Sequence, residues 1–155
     1  MAETVESRLK TLGIVLPAPA KPAANYVPVV RTGNLLFISG QVSFAPGGQQ
    51  FTGKVGSERT IEEGQSAARI CAINLLGALK ATIGDFEKLV RFVKLTGFVN
   101  CTPEFQDVHK VINGCSDLLT EVLGIRGKHA RSAVGMASLP LGASVEVEAI
   151  VEVVS

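Results

Sequence analysis

The strict alternation of the last segment restricts this chain more than any other feature. Val145, Val147, Ala149, Val151 and Val153 share one parity, while Glu146, Glu148, Ile150, Glu152 and Val154 share the other. Successive side chains of an extended chain point to opposite sides, so this pattern predicts a β-strand with one buried face and one charged face. The valine face must cover something apolar.

Two segments of helical period supply that cover. Thr60-Ile61-Glu62-Glu63 is a capping-box sequence, in which the Thr60 hydroxyl accepts from the Glu63 amide and the Glu63 side chain reaches back. It opens a helix to about Thr82, with Ala68, Cys71, Ala72, Leu75, Leu76 and Leu79 on the apolar side. A second helix is predicted from Thr102-Pro103 to Gly124, with Thr at N-cap and Pro at N1. Phe105, Val108, Ile112, Cys115, Leu119 and Val122 give it alternating steps of three and four.

Further strands are expected at Val29–Arg31 and Leu35–Ser39, joined through Thr32-Gly33-Asn34, and at Leu89–Val99. A weaker strand or loop falls near Phe51–Val55. Arg131–Ser138 and Ser144–Val154 read as a final hairpin turning at Leu139-Pro140-Leu141-Gly142. The order is hairpin, helix, strand, helix, hairpin. Its economical solution is an α+β fold, one sheet with two long helices packed on one face.

Ahead of this lies a short helix over residues 4–12, with Val5, Leu9 and Leu12 on one side and Gly13 as its stop. Leu16-Pro17-Ala18-Pro19-Ala20-Lys21-Pro22 follows as an extended tie. The chain therefore divides into an extension and tie, residues 1–24, and a main domain, residues 25–155. Its 155 residues fit one core. A net charge of +1 argues against an electrostatic footprint for nucleic acid or anionic lipid. No targeting or membrane-spanning run is evident, and Cys71, Cys101 and Cys115 lack C-x-x-C spacing, so a reducing, cytoplasmic compartment is expected. No metal-ligand spacing occurs, and Gly124 to His129 lacks the spacing of a phosphate loop.

In the hairpin reading Val134 and Met136 join the valine core, which leaves Arg131, Ala133, Gly135 and Ala137 on the glutamate face. Such a face is solvated, or forms a subunit interface or ligand cleft. Arg131 either pairs with a glutamate of the next strand or presents a planar fork to a carboxylate. Along this hairpin Arg131 would lie about 13 Å or about 20 Å from the residue facing Glu146, at roughly 3.3 Å per residue. Either gap is awkward for one small ligand, so a site shared between chains is expected.

Several segments together resemble the Rid/YjgF family: Asn25-Tyr26-Val27, Gly33 through Gln41 with its Ser39-Gly40-Gln41 end, Ala130-Arg131-Ser132, and Leu139 through Glu148. The resemblance covers residues 25–155. It implies a chorismate-mutase-like fold and a homotrimer with clefts between subunits. The implied activity is cofactor-free hydrolysis of small enamines and imines, such as 2-aminoacrylate, to 2-oxo acids and ammonia. By the same resemblance Arg131 binds the substrate carboxylate, Glu146 orients the attacking water, and Tyr26, Ser39 and Gly40 line the cleft. A non-catalytic binding trimer is the alternative; RNA cleavage, a label some members carry, fits the charge and the scarcity of aromatic residues poorly. Ala133 stands where many members have cysteine, and Lys128-His129 replaces a proline-containing lead-in, features of a divergent subgroup. His109 is the nearest match to the family's helix asparagine; His109 and His129 read as surface or interface residues.

Overall fold

The computed structural model describes residues 2–19, 21–22 and 24–155; Met1, and Ala20 and Ala23 of the tie, lie outside that range. The elements run α1 (Val5–Thr11), β1 (Val29–Thr32), β2 (Leu35–Val42), α2 (Ile61–Ile83), β3 (Leu89–Asn100), α3 (Val108–Leu123), β4 (Ala130–Met136) and β5 (Val145–Val153). The α+β fold expected from the sequence is present, with one mixed sheet and both long helices on one face.

The strands lie in the order β1-β2-β5-β3-β4. β5 is central and antiparallel to both neighbours, so β2 and β3 run parallel on either side of it. α2 is the crossover between them, and α3 is the crossover between the parallel pair β3 and β4. Two βαβ crossovers of one hand place both helices on the same side of the sheet. All five alternating apolar residues of β5, Val145 to Val153, are buried beneath them.

This topology corrects the final hairpin. β4 does not pair with β5; β3 lies between them, and the chain from Ala137 to Ser144 passes over the end of β3. The faces of β4 are also reversed. Val134 and Met136 are 40% and 36% exposed on the open side, whereas Arg131, Ala133 and Gly135 lie toward α3. The small residues make room for that helix. A Cβ on Gly135 would lie 2.8 Å from Cys101 Sγ and 3.6 Å from Val108 Cγ1.

The capping box of α2 forms as expected, with Glu63 N to Thr60 Oγ1 at 3.1 Å and Thr60 N to Glu63 Oε2 at 2.9 Å. α3 begins later than its periodicity suggests. Pro103 sits in a turn closed by Phe105 N to Thr102 O at 3.1 Å, and the helix starts only after Asp107. Pro at the second turn position explains the delay. Phe105 still packs against the core from outside the helix. α3 then presses on β3 at Gly97, where a Cβ would meet Ile112 Cδ1 at 2.5 Å. α2 and α3 meet at Gly114, where a Cβ would lie 2.1 Å from the Gln65 carbonyl oxygen.

α2 is long and apolar enough to cross a membrane by composition alone, but most of it is covered within the fold. The sheet and α3 cover much of its apolar surface. The N-terminal segment covers more: a Cβ on Gly77 would lie 2.5 Å from the Pro17 carbonyl oxygen. Val5 and Leu9 of α1 are 1% and 5% exposed. Glu6 accepts from Lys80 Nζ at 3.0 Å, and Arg8 Nη1 donates to the Val122 carbonyl at 3.1 Å, satisfying an orphan acceptor in the last turn of α3.

Burying Val5 and Leu9 contributes about 1.5–3 kcal/mol each. A fragment spanning residues 25–155 is therefore expected to fold with a lower unfolding free energy, by roughly 3–6 kcal/mol in a urea titration. An unfolded or aggregated fragment would place α1 inside the minimal domain.

Candidate functional site

The expected site residues fall into two groups separated by the sheet. Tyr26, Ser39, Gly40 and Glu146 belong to the open face or its rim, and Arg131 belongs to the helix side. The register makes this unavoidable. Arg131 is aligned with Leu95 on β3 and, through it, with the buried Ala149 on β5. Glu146 is aligned with Phe98 on β3 and, through it, with Val134 on β4. An offset of three residues across two ladders puts the two Cα atoms about 14 Å apart, with side chains on opposite faces.

Glu146 owes its position to a bulge. Ile38 and Gln41 of β2 oppose Ala149 and Val147 of β5, so Ser39-Gly40 contributes one extra residue. Gly40 consequently sits under the Glu146 side chain, and a Cβ there would lie 2.1 Å from Glu146 Oε1. A cavity of about 360 Å³ opens beside this carboxylate, lined by Tyr26, Gly40, Phe44, Pro17 and Leu141 among others. Burial raises the Glu146 pKa above the ordinary carboxylate value, and the Glu148 charge raises it further.

Ser39 has a different task from its neighbours. Its hydroxyl donates to the Val27 carbonyl at 2.7 Å, and its amide donates to Pro28 O at 2.9 Å. Those bonds pin the segment that carries Tyr26, while Ser39 itself lines an adjoining hollow with Phe37, Lys94 and Glu148. Leu141 was not legible as a site residue. It has φ 58° and is 76% exposed at the rim of the Glu146 cavity. A left-handed leucine costs about 1–2 kcal/mol, so the turn is held there by its surroundings. Gly142 N to Leu139 O and Ala143 N to Pro140 O, both 3.1 Å, supply that hold.

On the other side, Arg131 is half-buried between β4 and α3. Nη1 donates to Ser116 Oγ at 3.1 Å and Nη2 to the His109 carbonyl at 2.9 Å. Among the described residues it makes no ion pair, so the expected alternative of a glutamate partner on the next strand is not realised. Both acceptors are neutral, and the guanidinium charge stays available for an anion. His109 contributes its backbone, with its ring exposed. His129 is half-buried, with Nε2 2.9 Å from Ser116 Oγ and Nδ1 2.6 Å from the Gly127 carbonyl. No group of three His, Cys, Asp or Glu side chains able to hold a metal ion occurs among the described residues.

Two substitutions check the Glu146 geometry. Gly40→Ala is expected to fold with about 1 kcal/mol lost, because the flexible Glu146 side chain rather than backbone must move, but to displace the carboxylate. Glu148→Gln removes a charge that raises the Glu146 pKa, so Glu146 should lose its proton at lower pH than in the native chain. Carboxyl NMR titration of Glu146 reads this directly, and an unchanged midpoint would show that Glu148 does not act on it.

Comparison with known proteins agrees with this architecture. Residues 6–153, beginning within α1, match the family model described as "YjgF/chorismate_mutase-like, putative endoribonuclease". Protein TCP17 of Trypanosoma cruzi is 48% identical over 96% of this chain and 93% of its own. The crystal structure of Atu1372 from Agrobacterium tumefaciens, a protein described as of unknown function, is 50% identical with a TM-score of 0.91, covering 97% and 94% of the two chains. RidA from an Antarctic Psychrobacter is 26% identical with a TM-score of 0.62, over 88% of this chain and 94% of its own. From sequence and fold alike, the chain belongs to the YjgF/Rid family.

Proposed function

We propose that the protein hydrolyses small carboxylate-bearing imines and enamines, of the 2-aminoacrylate type, to 2-oxo acids and ammonia in clefts between the subunits of a homotrimer. The observation that carries this reading is a separation. A half-buried arginine without a counter-charge lies on one side of the sheet, and a carboxylate with a raised pKa lies beside a cavity on the other. Each is half of an imine hydrolase, and one chain cannot bring the halves together.

The chemistry needs no group beyond these. An imine carbon is already electrophilic, so holding the substrate carboxylate and placing a water leaves little for the protein to activate. Arg131 has five N–H donors and uses two within its own chain, which leaves three for the ligand. Glu146 accepts a proton from water as the water oxygen bonds to the imine carbon and the C=N π electrons move to nitrogen. The same proton then passes from Glu146 to the amine of the tetrahedral adduct. Glu146 then takes the hydroxyl proton and passes it to the same nitrogen, and as C=O re-forms the C–N bond breaks and ammonia leaves. An enamine first takes a proton on carbon and gives one up from nitrogen to become the imine. A carboxylate whose pKa is raised above the ordinary value is a better proton acceptor from water than a free one and can still return the proton. The small apolar surfaces of Val134, Met136 and Phe37 on the open face offer contact to a second chain.

Ammonia release from freshly generated imino acids separates this activity from binding without turnover. Arg131→Lys should lose most of it while remaining folded, since an ammonium cannot reproduce a bidentate fork. Arg131→Ala and Glu146→Gln trimers should each be inactive. After subunit exchange in equal amounts about a quarter of sites, half times half, receive both intact residues, and activity should return in that proportion. No recovery despite demonstrated exchange would refute the shared site.

A further inference from the structure

The contacts around Arg131 extend into a chain of hydrogen bonds that the proposed chemistry does not use. It begins at the turn after α3. Gly127 packs so closely on that helix that a Cβ would lie 2.3 Å from the Leu119 carbonyl oxygen, which fixes where the Gly127 carbonyl points. His129 Nδ1 lies 2.6 Å from that oxygen. A carbonyl only accepts, so the proton must sit on Nδ1. In the neutral ring Nε2 is then an acceptor, and at 2.9 Å it takes the Ser116 hydroxyl hydrogen. With its hydrogen directed at His129, Ser116 Oγ turns lone pairs toward Arg131, whose Nη1 donates to it at 3.1 Å.

We infer that His129 and Ser116 are positioning residues that hold the Arg131 guanidinium in its carboxylate-receiving orientation, an inference that rests on the anion-binding role proposed for Arg131 above. Ser116 anchors one terminal nitrogen and the His109 carbonyl anchors the other, so the plane of the fork is set before a ligand arrives. Preorganising a flexible cation in this way lowers what binding must spend on ordering it. The order of donors and acceptors admits one direction. A proton on Nε2 would point at Ser116 and free its hydroxyl hydrogen to face the guanidinium instead. Burial lowers the His129 pKa, and the Arg131 and Lys128 charges lower it further against the opposing Gly127 bond, so the ring is kept in the neutral state that the chain of bonds requires.

Two measurements test this, and only one depends on turnover. The chain has two histidines, so ¹⁵N NMR of histidine-labelled protein resolves His129 by comparison with a His129→Gln variant. At neutral pH the native ring should carry its proton on Nδ1 with a bare Nε2. Ser116→Ala should keep that tautomer, which the Gly127 carbonyl holds, but shift the Nε2 resonance and, in uniformly labelled protein, the Arg131 Nε–H resonance. In the imine assay Ser116→Ala and His129→Leu should raise KM about tenfold with kcat nearly unchanged, the pattern of lost ground-state binding. His129→Gln keeps an acceptor within reach of Ser116 and should stay within about threefold of the native KM. A proton on Nε2 in the native protein, unaltered KM in both disruptive variants, a loss of kcat instead, or a glutamine variant no better than leucine would each overturn the inference. A native chain that releases no ammonia would overturn the proposed activity alone, and the tautomer and the Arg131 resonance would still decide the positioning role.

Discussion

The sheet is organised by the parity of β5. This strand is central, paired on both edges, and sealed on one face by two helices, so a shift of one residue would drive its glutamates into the core. Because β2 and β3 are both registered against it, the parity of β5 sets which of their side chains face outward. β3 passes the same constraint to β4 through its parallel ladder. Glu146 and Arg131 therefore occupy opposite sides of the sheet for the same reason that the valines are buried. The bulge at Ser39-Gly40 is the local exception: it breaks the alternation of β2 and lets a carboxylate lie over a bare backbone.

That logic also marks how far the sequence could be read. Alternation identifies which residues share a face within a strand, and the burial of Val145 to Val153 follows from it. It does not say which strand lies next door. Arg131–Ser138 and Ser144–Val154 are close in sequence and join through a turn, so a hairpin was the simplest pairing. The actual partner of β4 is β3, brought parallel by α3, and such a pairing leaves no local trace. The face of β4 was misread for a related reason. Val134 and Met136 look like core beside Ala133 and Gly135, yet at an edge under a close-packed helix the small residues go inward and the large ones outward.

Site residues were legible to different degrees on the same physical grounds. Arg131 stood out from the strand pattern and its chemistry, whereas the roles of Glu146, Tyr26, Ser39 and Gly40 came from likeness to a family pattern, and the structure groups three of these, Tyr26, Gly40 and Glu146, around one cavity. Ser39 proves to brace the Tyr26 segment, a task that depends on backbone carbonyls no sequence displays. Leu141 carries no signal at all, since nothing about a leucine announces a positive φ. His129 was visible as a residue but not as a partner. Its contacts cross from a turn to the middle of a helix, and only the fold brings Gly127, Ser116 and Arg131 to it.

A sheet one layer thick is an effective barrier between Arg131 on one side and Glu146 on the other. A ligand small enough to be a 2-imino acid cannot reach around an edge strand to touch both Arg131 and Glu146 of one chain. If both groups act on one molecule, the second chain must present its open face near the first chain's β4, whose outer edge is unpaired. Val134 and Met136 on that strand are then contact surface rather than misplaced core, and the exposed Leu141 stands at the rim where two chains would meet. The same arrangement would account for Arg131 being held by neutral groups of its own chain. A carboxylate partner from within would quench the charge before a neighbour's cleft could use it, whereas a hydroxyl and a carbonyl fix its direction and leave the charge intact.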